Sequence, residues 1–129
     1  RVEMKNFVLL RSQQGFSLIE VMVAATILSI SLIGFAQAQL LALQAAEHAY
    51  LINLANLKNI ELAEGFKICR SRRFCFQPVL TLWKNEIQEN FPKGMGLISK
   101  CNLSNYQSKI QWFSSFSKFP LSLDLLFSA

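Results

Sequence analysis

The stretch GFSLIEVMVAATILSISLIGFAQAQLLALQAA, at residues 15–46, decides the fold. Across residues 16–46 the only charged side chain is Glu20. Such a run exceeds the roughly 20 apolar residues that a helix needs to cross a bilayer. In lipid every backbone N–H and C=O must be satisfied within the segment, so the run is expected to be helical despite its β-branched residues. Gly34 is its interior weak point, and no proline occurs before Pro78.

On the amino-terminal side, residues 4–15 form a short polar and basic leader, and translation is expected to start at Met4. The apolar residues 7–10 are too few for the core of a secretory signal peptide. Arg1, Lys5 and Arg11 precede the run. Positive residues there favour keeping that end in the cytoplasm, so the chain beyond the span faces the periplasm or cell surface.

On the carboxyl-terminal side the pattern turns amphipathic without a break. Leu40, Leu41, Leu43, Leu51, Leu54, Leu57, Ile60, Leu62 and Phe66 alternate with Gln44, Glu47, Asn53, Asn56, Lys58, Glu61 and Glu64. Many of the apolar residues recur at three- and four-residue steps, as on a helix with one buried face. One helix over residues 17–63 is predicted, closing near Gly65 and ~70 Å long at ~1.5 Å per residue. Residues 67–76 read as a loop carrying Lys67, Arg70, Arg72 and Arg73. Residues 78–91 read as a second helix with Leu80, Trp83, Ile87 and Phe91 on one face, and Pro78 suits its first turn. A turn at residues 92–96 leads to strands at 97–101 and 106–113, joined by a turn at 102–105, and to a third strand at 121–127. The predicted class is α+β: a long amino-terminal helix, membrane-spanning in its first half, packed on a small antiparallel sheet.

The whole chain has 129 residues, 52% of them hydrophobic, and a net charge of +5. Residues 47–129 hold most of the charge and are too few for a large core. They are expected to lean on the long helix, on neighbouring subunits or on a disulfide. Without residues 1–15 the chain keeps ten basic and seven acidic residues, a net +3. That balance does not demand a nucleic-acid partner. The basic cluster reads as a solvated loop complementing a helix carboxyl end. Contact with DNA or phospholipid is the sharper alternative, and it lacks an interleaved aromatic array.

The cysteines are Cys69, Cys75 and Cys101, and an outward-facing compartment permits disulfides. An odd count leaves at least one thiol free or paired between chains. Cys69 and Cys75 can close a small loop, or either can pair with Cys101 in a larger one. No C-x-x-C spacing exists and His48 is the only histidine, so neither a metal site nor another cofactor is expected. Glu86 and Glu89 read as solvated charge rather than a catalytic pair, and no nucleophile–base arrangement points to an enzyme. Trp83 and Trp112 are expected in the core.

The junction Gly15-Phe16-Ser17-Leu18-Ile19-Glu20 carries the most specific signal. A secretory signal peptide is cut after its apolar core, whereas here the small residue that suits a cut precedes the core. This segment resembles the prepilin signature of type IV pilins and pseudopilins. The resemblance implies cleavage after Gly15 by a membrane-embedded aspartic prepilin peptidase, and N-methylation of the new terminus at Phe16. Glu20, at the fifth mature position, has a physical rationale. A carboxylate inside a membrane helix costs about 2.5–3.5 kcal/mol or more unless a cation meets it. Cleavage creates an amine at Phe16, and the resemblance implies that Glu20 pairs with the amine of a neighbouring subunit during assembly. Self-pairing within one helix and snorkelling to headgroups are the alternatives. The rival cleavage site Ala36-Gln37-Ala38 would release residues 39–129, but it would leave Glu20 at the start of the signal core and interrupt a continuous helical pattern.

The remainder more faintly resembles PilV-type minor pilins, the type IV pilus modification proteins. The matching features are Trp83, Phe91-Pro92, Gly94, Gly96 and Trp112, with phenylalanine standing for the family's leucine and Met95 separating the glycines. The implied product is a minor subunit that primes or modifies a type IV pilus and serves adhesion, motility or DNA uptake. Its expected regions are a removed leader at 1–15, a transmembrane assembly helix at 16–46 and a periplasmic part at 47–129. Its expected partners are the prepilin peptidase, other pilin subunits and the inner membrane. A pseudopilin of a type II secretion system is the structural alternative. A non-polymerising, single-span binding protein is the alternative of another class.

Overall fold

The computed structural model describes Gly15, residues 17–70, Arg72 and residues 74–128. The leader up to residue 14, Phe16 and Arg73 lie outside the described residues. The elements are α1 (Leu18–Cys69), α2 (Phe76–Asn90), β1 (Met95–Lys100), β2 (Asn105–Trp112) and β3 (Leu121–Ser128). The chain divides into two units, residues 1–40 and 41–129.

In the first unit, α1 opens at Ser17, whose carbonyl accepts the N–H of Glu20 at 2.9 Å and of Val21 at 3.3 Å. From Leu18 onward every side chain of this unit is exposed. α1 is long and apolar enough to cross a membrane, and none of its most apolar window is buried within the protein. Its hydroxyls do not interrupt that character. Thr26 donates to the Val23 carbonyl at 2.7 Å, Ser29 to Ala25 at 2.8 Å and Ser31 to Ile27 at 2.8 Å. Each hydroxyl is thereby satisfied inside its own helix, as lipid requires.

In the second unit, the rest of α1 packs on an antiparallel sheet of order β1-β2-β3. Its buried row is Leu51, Ala55, Asn59, Leu62, Ala63, Phe66 and Cys69. Of the residues predicted for that face, Leu40, Leu41, Leu43, Leu57 and Ile60 are instead more than half exposed, and Asn59 is buried. The central strand β2 supplies the facing surface, with Ser108, Ile110 and Trp112 buried at alternate positions. Ser108 Oγ donates to Asn59 Oδ1 at 2.9 Å, which fixes the helix on the strand through a polar contact inside the core. Ser108→Ala leaves that buried acceptor unpaired and is expected to cost about 1–3 kcal/mol. Denaturant unfolding checks this, with Asn59→Leu/Ser108→Ala expected to recover much of the loss because both polar partners are gone.

The long helix runs four residues past the predicted close at Gly65. That glycine has no left-handed backbone. The Val79 side chain of α2 lies against it, and a Cβ there would sit 3.0 Å from Val79 Cγ1. Gly65 therefore admits α2 and does not end α1. Strand and helix limits otherwise fall within two residues of the prediction, and α2 holds Pro78 in its first turn. Trp83, Ile87 and Phe91 are buried, as the predicted α2 face requires, and Leu80 is half-buried.

A disulfide joins Cys69 to Cys75, six positions apart, between α1 and α2. Cys101 is free and exposed. Lys67 lies in the last turn of α1 and pairs with Glu64 at 2.9 Å.

Candidate processing and assembly site

Gly15 is exposed and precedes the helix, with open space around the position its Cβ would take. Phe16, the residue predicted to become the methylated terminus, lies outside the described residues. Glu20 sits in the first turn of α1, where the unpaired N–H groups of the helix favour a negative charge. It has no salt-bridge partner among the described residues. Ser17, Ile19, Val23, Ala24 and Ile27 line a shallow apolar surface around it. The arrangement is a lone exposed carboxylate at the head of an unburied apolar helix. Chemically it can bind a cation. Among the described residues no group of histidine, cysteine or acidic side chains has metal-binding geometry.

The other predicted features belong to packing. Trp83 and Trp112 are 4% and 1% exposed. The Trp83 indole N–H donates to the Lys58 carbonyl at 2.9 Å, tying α2 to α1. The Phe91 and Trp112 rings lie 5.4 Å apart, and the Phe113 N–H donates to the Pro92 carbonyl at 3.0 Å. Gly94 and Gly96 pack directly on α2: a Cβ on Gly94 would lie 2.5 Å from the Ile87 carbonyl, and one on Gly96 would lie 2.5 Å from the Trp83 ring. The turn residue with positive φ is Lys93, at 52°, rather than either glycine. The sequence pattern groups these residues correctly: the predicted turn is present, closed by the Gly94 N–H donating to the Phe91 carbonyl at 3.1 Å, while Gly96 lies in β1, and both glycines also make room for aromatic and aliphatic side chains.

Glu86 is not simply solvated. Its carboxylate pairs with Lys58 Nζ, which also meets Glu61 at 2.9 Å. Glu61 first, then Glu86, raises the Lys58 pKa above its ordinary 10.5. A pKa raised on folding gives stability that is whole below the unfolded value and fades as pH rises through the folded one. The stability difference between the native chain and Lys58→Met is therefore expected to stay level from neutral pH to 10.5 and to shrink above it. Denaturant midpoints across that range check it. Glu89 and His48 are exposed, the latter beside an open groove that includes Leu41, Ile52 and Phe116.

No curated protein and no solved structure matches the chain. Residues 10–36, about a fifth of the sequence, match the family model described as the prokaryotic N-terminal methylation motif. With that motif, and with a long amino-terminal helix packed on a small antiparallel sheet, the chain carries the signature and the architecture of the type IV prepilins and pseudopilins.

Proposed function

We propose that this chain is a minor subunit of a type IV pilus, made as a prepilin and matured at Gly15. The observation that carries the reading is the methylation motif at residues 10–36, set at the head of an apolar run, residues 16–46, whose one charge is Glu20. In this reading residues 1–15 are the removed leader, and the prepilin peptidase cuts after Gly15 and methylates Phe16. Residues 16–46 hold the subunit in the inner membrane and then join other pilin helices. Residues 47–129 face the periplasm, as the basic residues ahead of the span favour. Glu20 meets the amine of a neighbouring subunit and sets the stagger between helices. The PilV-type assignment is supported by the packed group of Trp83, Phe91, Gly94, Gly96 and Trp112.

The test is the mass and amino-terminal sequence of the protein from bacterial membranes, with and without the prepilin peptidase. The expected product begins at N-methylated Phe16 and disappears when the peptidase is absent. An uncut chain in peptidase-competent cells, or one beginning at Gln39, overturns the reading.

A further inference from the structure

Within the second unit, α1 and β2 run in opposite directions. Phe66, late in α1, packs on Tyr106 at 5.4 Å, and Asn59 meets Ser108 in the middle. Beyond Trp112 the chain therefore returns alongside the start of the unit, where Leu41, Ala45, Ile52 and Phe116 line the groove between α1 and the β2–β3 loop. Residues 41–46, the last of the apolar run, belong to this unit, and the first charged side chain beyond them is Glu47. A charge is costly in hydrocarbon, so Glu47 marks where α1 has left it. Residues 41–46 then stand at the headgroup layer, and the loop lies beside them.

That loop, residues 113–120, reads FSSFSKFP. Phe113, Phe116 and Phe119 are 38%, 56% and 76% exposed. Single exposed apolar residues are ordinary on a protein surface, but three aromatic rings on one short loop make a patch. The loop's own serines hold its backbone: Ser114 Oγ accepts the N–H of Phe116 and Ser117 Oγ that of Phe119, each at 3.3 Å. The α2–β1 turn joins the same end, with Lys93 Nζ 5.8 Å from the centroid of the Phe113 ring. Lys118 is exposed within the loop, and no acidic residue occurs from 91 to 123.

We propose that the 113–120 loop docks on the surface of the bilayer that α1 crosses. Phe116 and Phe119 enter the boundary between headgroups and acyl chains, while Lys93 and Lys118 stay at the level of the lipid phosphates. The inference rests on the reading that α1 spans the membrane, and adds a second membrane contact to it. Two observations make lipid the occupant. The loop lies where α1 emerges from hydrocarbon, and aromatic rings flanked by lysines without carboxylates match the apolar and anionic layers of a phospholipid surface. The span then holds the chain in the membrane, and the loop fixes which face of the second unit lies on it.

The test uses the full chain in vesicles of phosphatidylethanolamine and phosphatidylglycerol, with phospholipids spin-labelled either near the top or deep in the acyl chain. A bimane fluorophore is read at one cysteine at a time, attached without reductant so that the Cys69–Cys75 disulfide stays closed. Ser115→Cys/Cys101→Ser reports from the loop at an exposed position. The native Cys101, exposed in the turn after β1, reports from the other end of the sheet. Ser29→Cys/Cys101→Ser reports from the apolar helix. The shallow spin label is expected to quench the residue-115 reporter and to spare Cys101, and the deep one to quench the residue-29 reporter. Adding Phe116→Ser/Phe119→Ser is expected to lower the docked-to-free ratio roughly a hundred-fold and bring the loop reporter down to the level of Cys101. Quenching at residue 29 with none at residue 115 overturns the docking and leaves the span intact. No quenching at residue 29 overturns the span reading and the docking with it. Undiminished loop quenching without the two rings also overturns the proposal, because the loop would then lie near lipid without inserting them.

Discussion

Glu20→Ala is expected to leave leader cleavage and membrane insertion intact and to remove the protein from filaments. A lone carboxylate in a membrane helix is destabilising by about 2.5–3.5 kcal/mol on insertion scales. Alanine at that position therefore makes α1 a better membrane helix. If the span were only an anchor, the variant would accumulate in the membrane at least as well as the native chain and behave alike in every other respect. If Glu20 binds the amine of a neighbouring subunit, the same change removes the attraction that aligns one helix with the next. The α-amine has an ordinary pKa of about 7.7–8.0 and is largely protonated at neutral pH, so the partner cation is available once Gly15 has been cut away. Losing an interaction of ~2.5–3 kcal/mol corresponds to about a hundred-fold shift in partition from filament to membrane. Glu20→Gln separates charge from hydrogen bonding and is expected to fail nearly as badly. Glu20→Asp keeps the charge on a shorter arm and is expected to retain part of the assembly. The measurement is the ratio of this protein in sheared filaments to that in the membrane fraction. Native-level entry of Glu20→Ala into filaments would remove Glu20 from the proposed mechanism.

Much of the architecture is legible in the sequence because its causes are local. The apolar run of residues 16–46, with Glu20 its one charge, forces a helix by length and solvent alone, and the three- and four-residue steps beyond it continue that helix into the second unit. Alternation and turn residues place all three strands to within two residues. The illegible part depends on contacts between distant residues. Asn59 looks like a surface residue until Ser108, 49 positions later, supplies its hydrogen bond. Gly65 looks like a helix breaker and Gly96 like a turn former until α2 is laid against them. The three cysteines permit several pairings, and only the closeness of the α1 end to the α2 start selects Cys69 with Cys75. The proposed processing site shows the reverse. Its residue types are plain in the sequence, while the groups proposed to act with them, a peptidase and other subunits, lie outside this chain. The structure of one chain accordingly adds only the exposure of Glu20 and its position in the first turn.

The second large effect lies in the packed unit. Gly96→Ala is expected to destabilise it by about 2–4 kcal/mol, combining overpacking with strain on a buried hydrogen bond. The new Cβ would stand 2.5 Å from Trp83 Cζ3, 2.9 Å from Trp83 Cη2 and 2.9 Å from Ile87 Cδ1. A flexible side chain would swing aside at little cost, but neither neighbour is free to do so. Ile87 is 0% exposed, and Trp83, at 4%, is held through its indole N–H by the Lys58 carbonyl. Moving the indole pulls on the join between α2 and α1, and Ile87 transmits the shift toward Phe91 and Trp112. At about 4–8 °C per kcal/mol for a unit of this size, the melting temperature should fall by more than 8 °C. Gly34→Ala is the matched control. It lies in the exposed apolar helix with nothing within 4 Å of its added Cβ, and alanine is the better helix former. It should leave the melt of the packed unit unchanged. The melt is best followed by near-ultraviolet circular dichroism and tryptophan emission, because the long helix dominates the far-ultraviolet signal while Trp83 and Trp112 both report from the packed core. If Gly96→Ala melts with the native chain, the close fit between β1 and α2 is not what holds the unit together. The shared packing of Trp83, Phe91, Gly94 and Trp112 would then need another explanation.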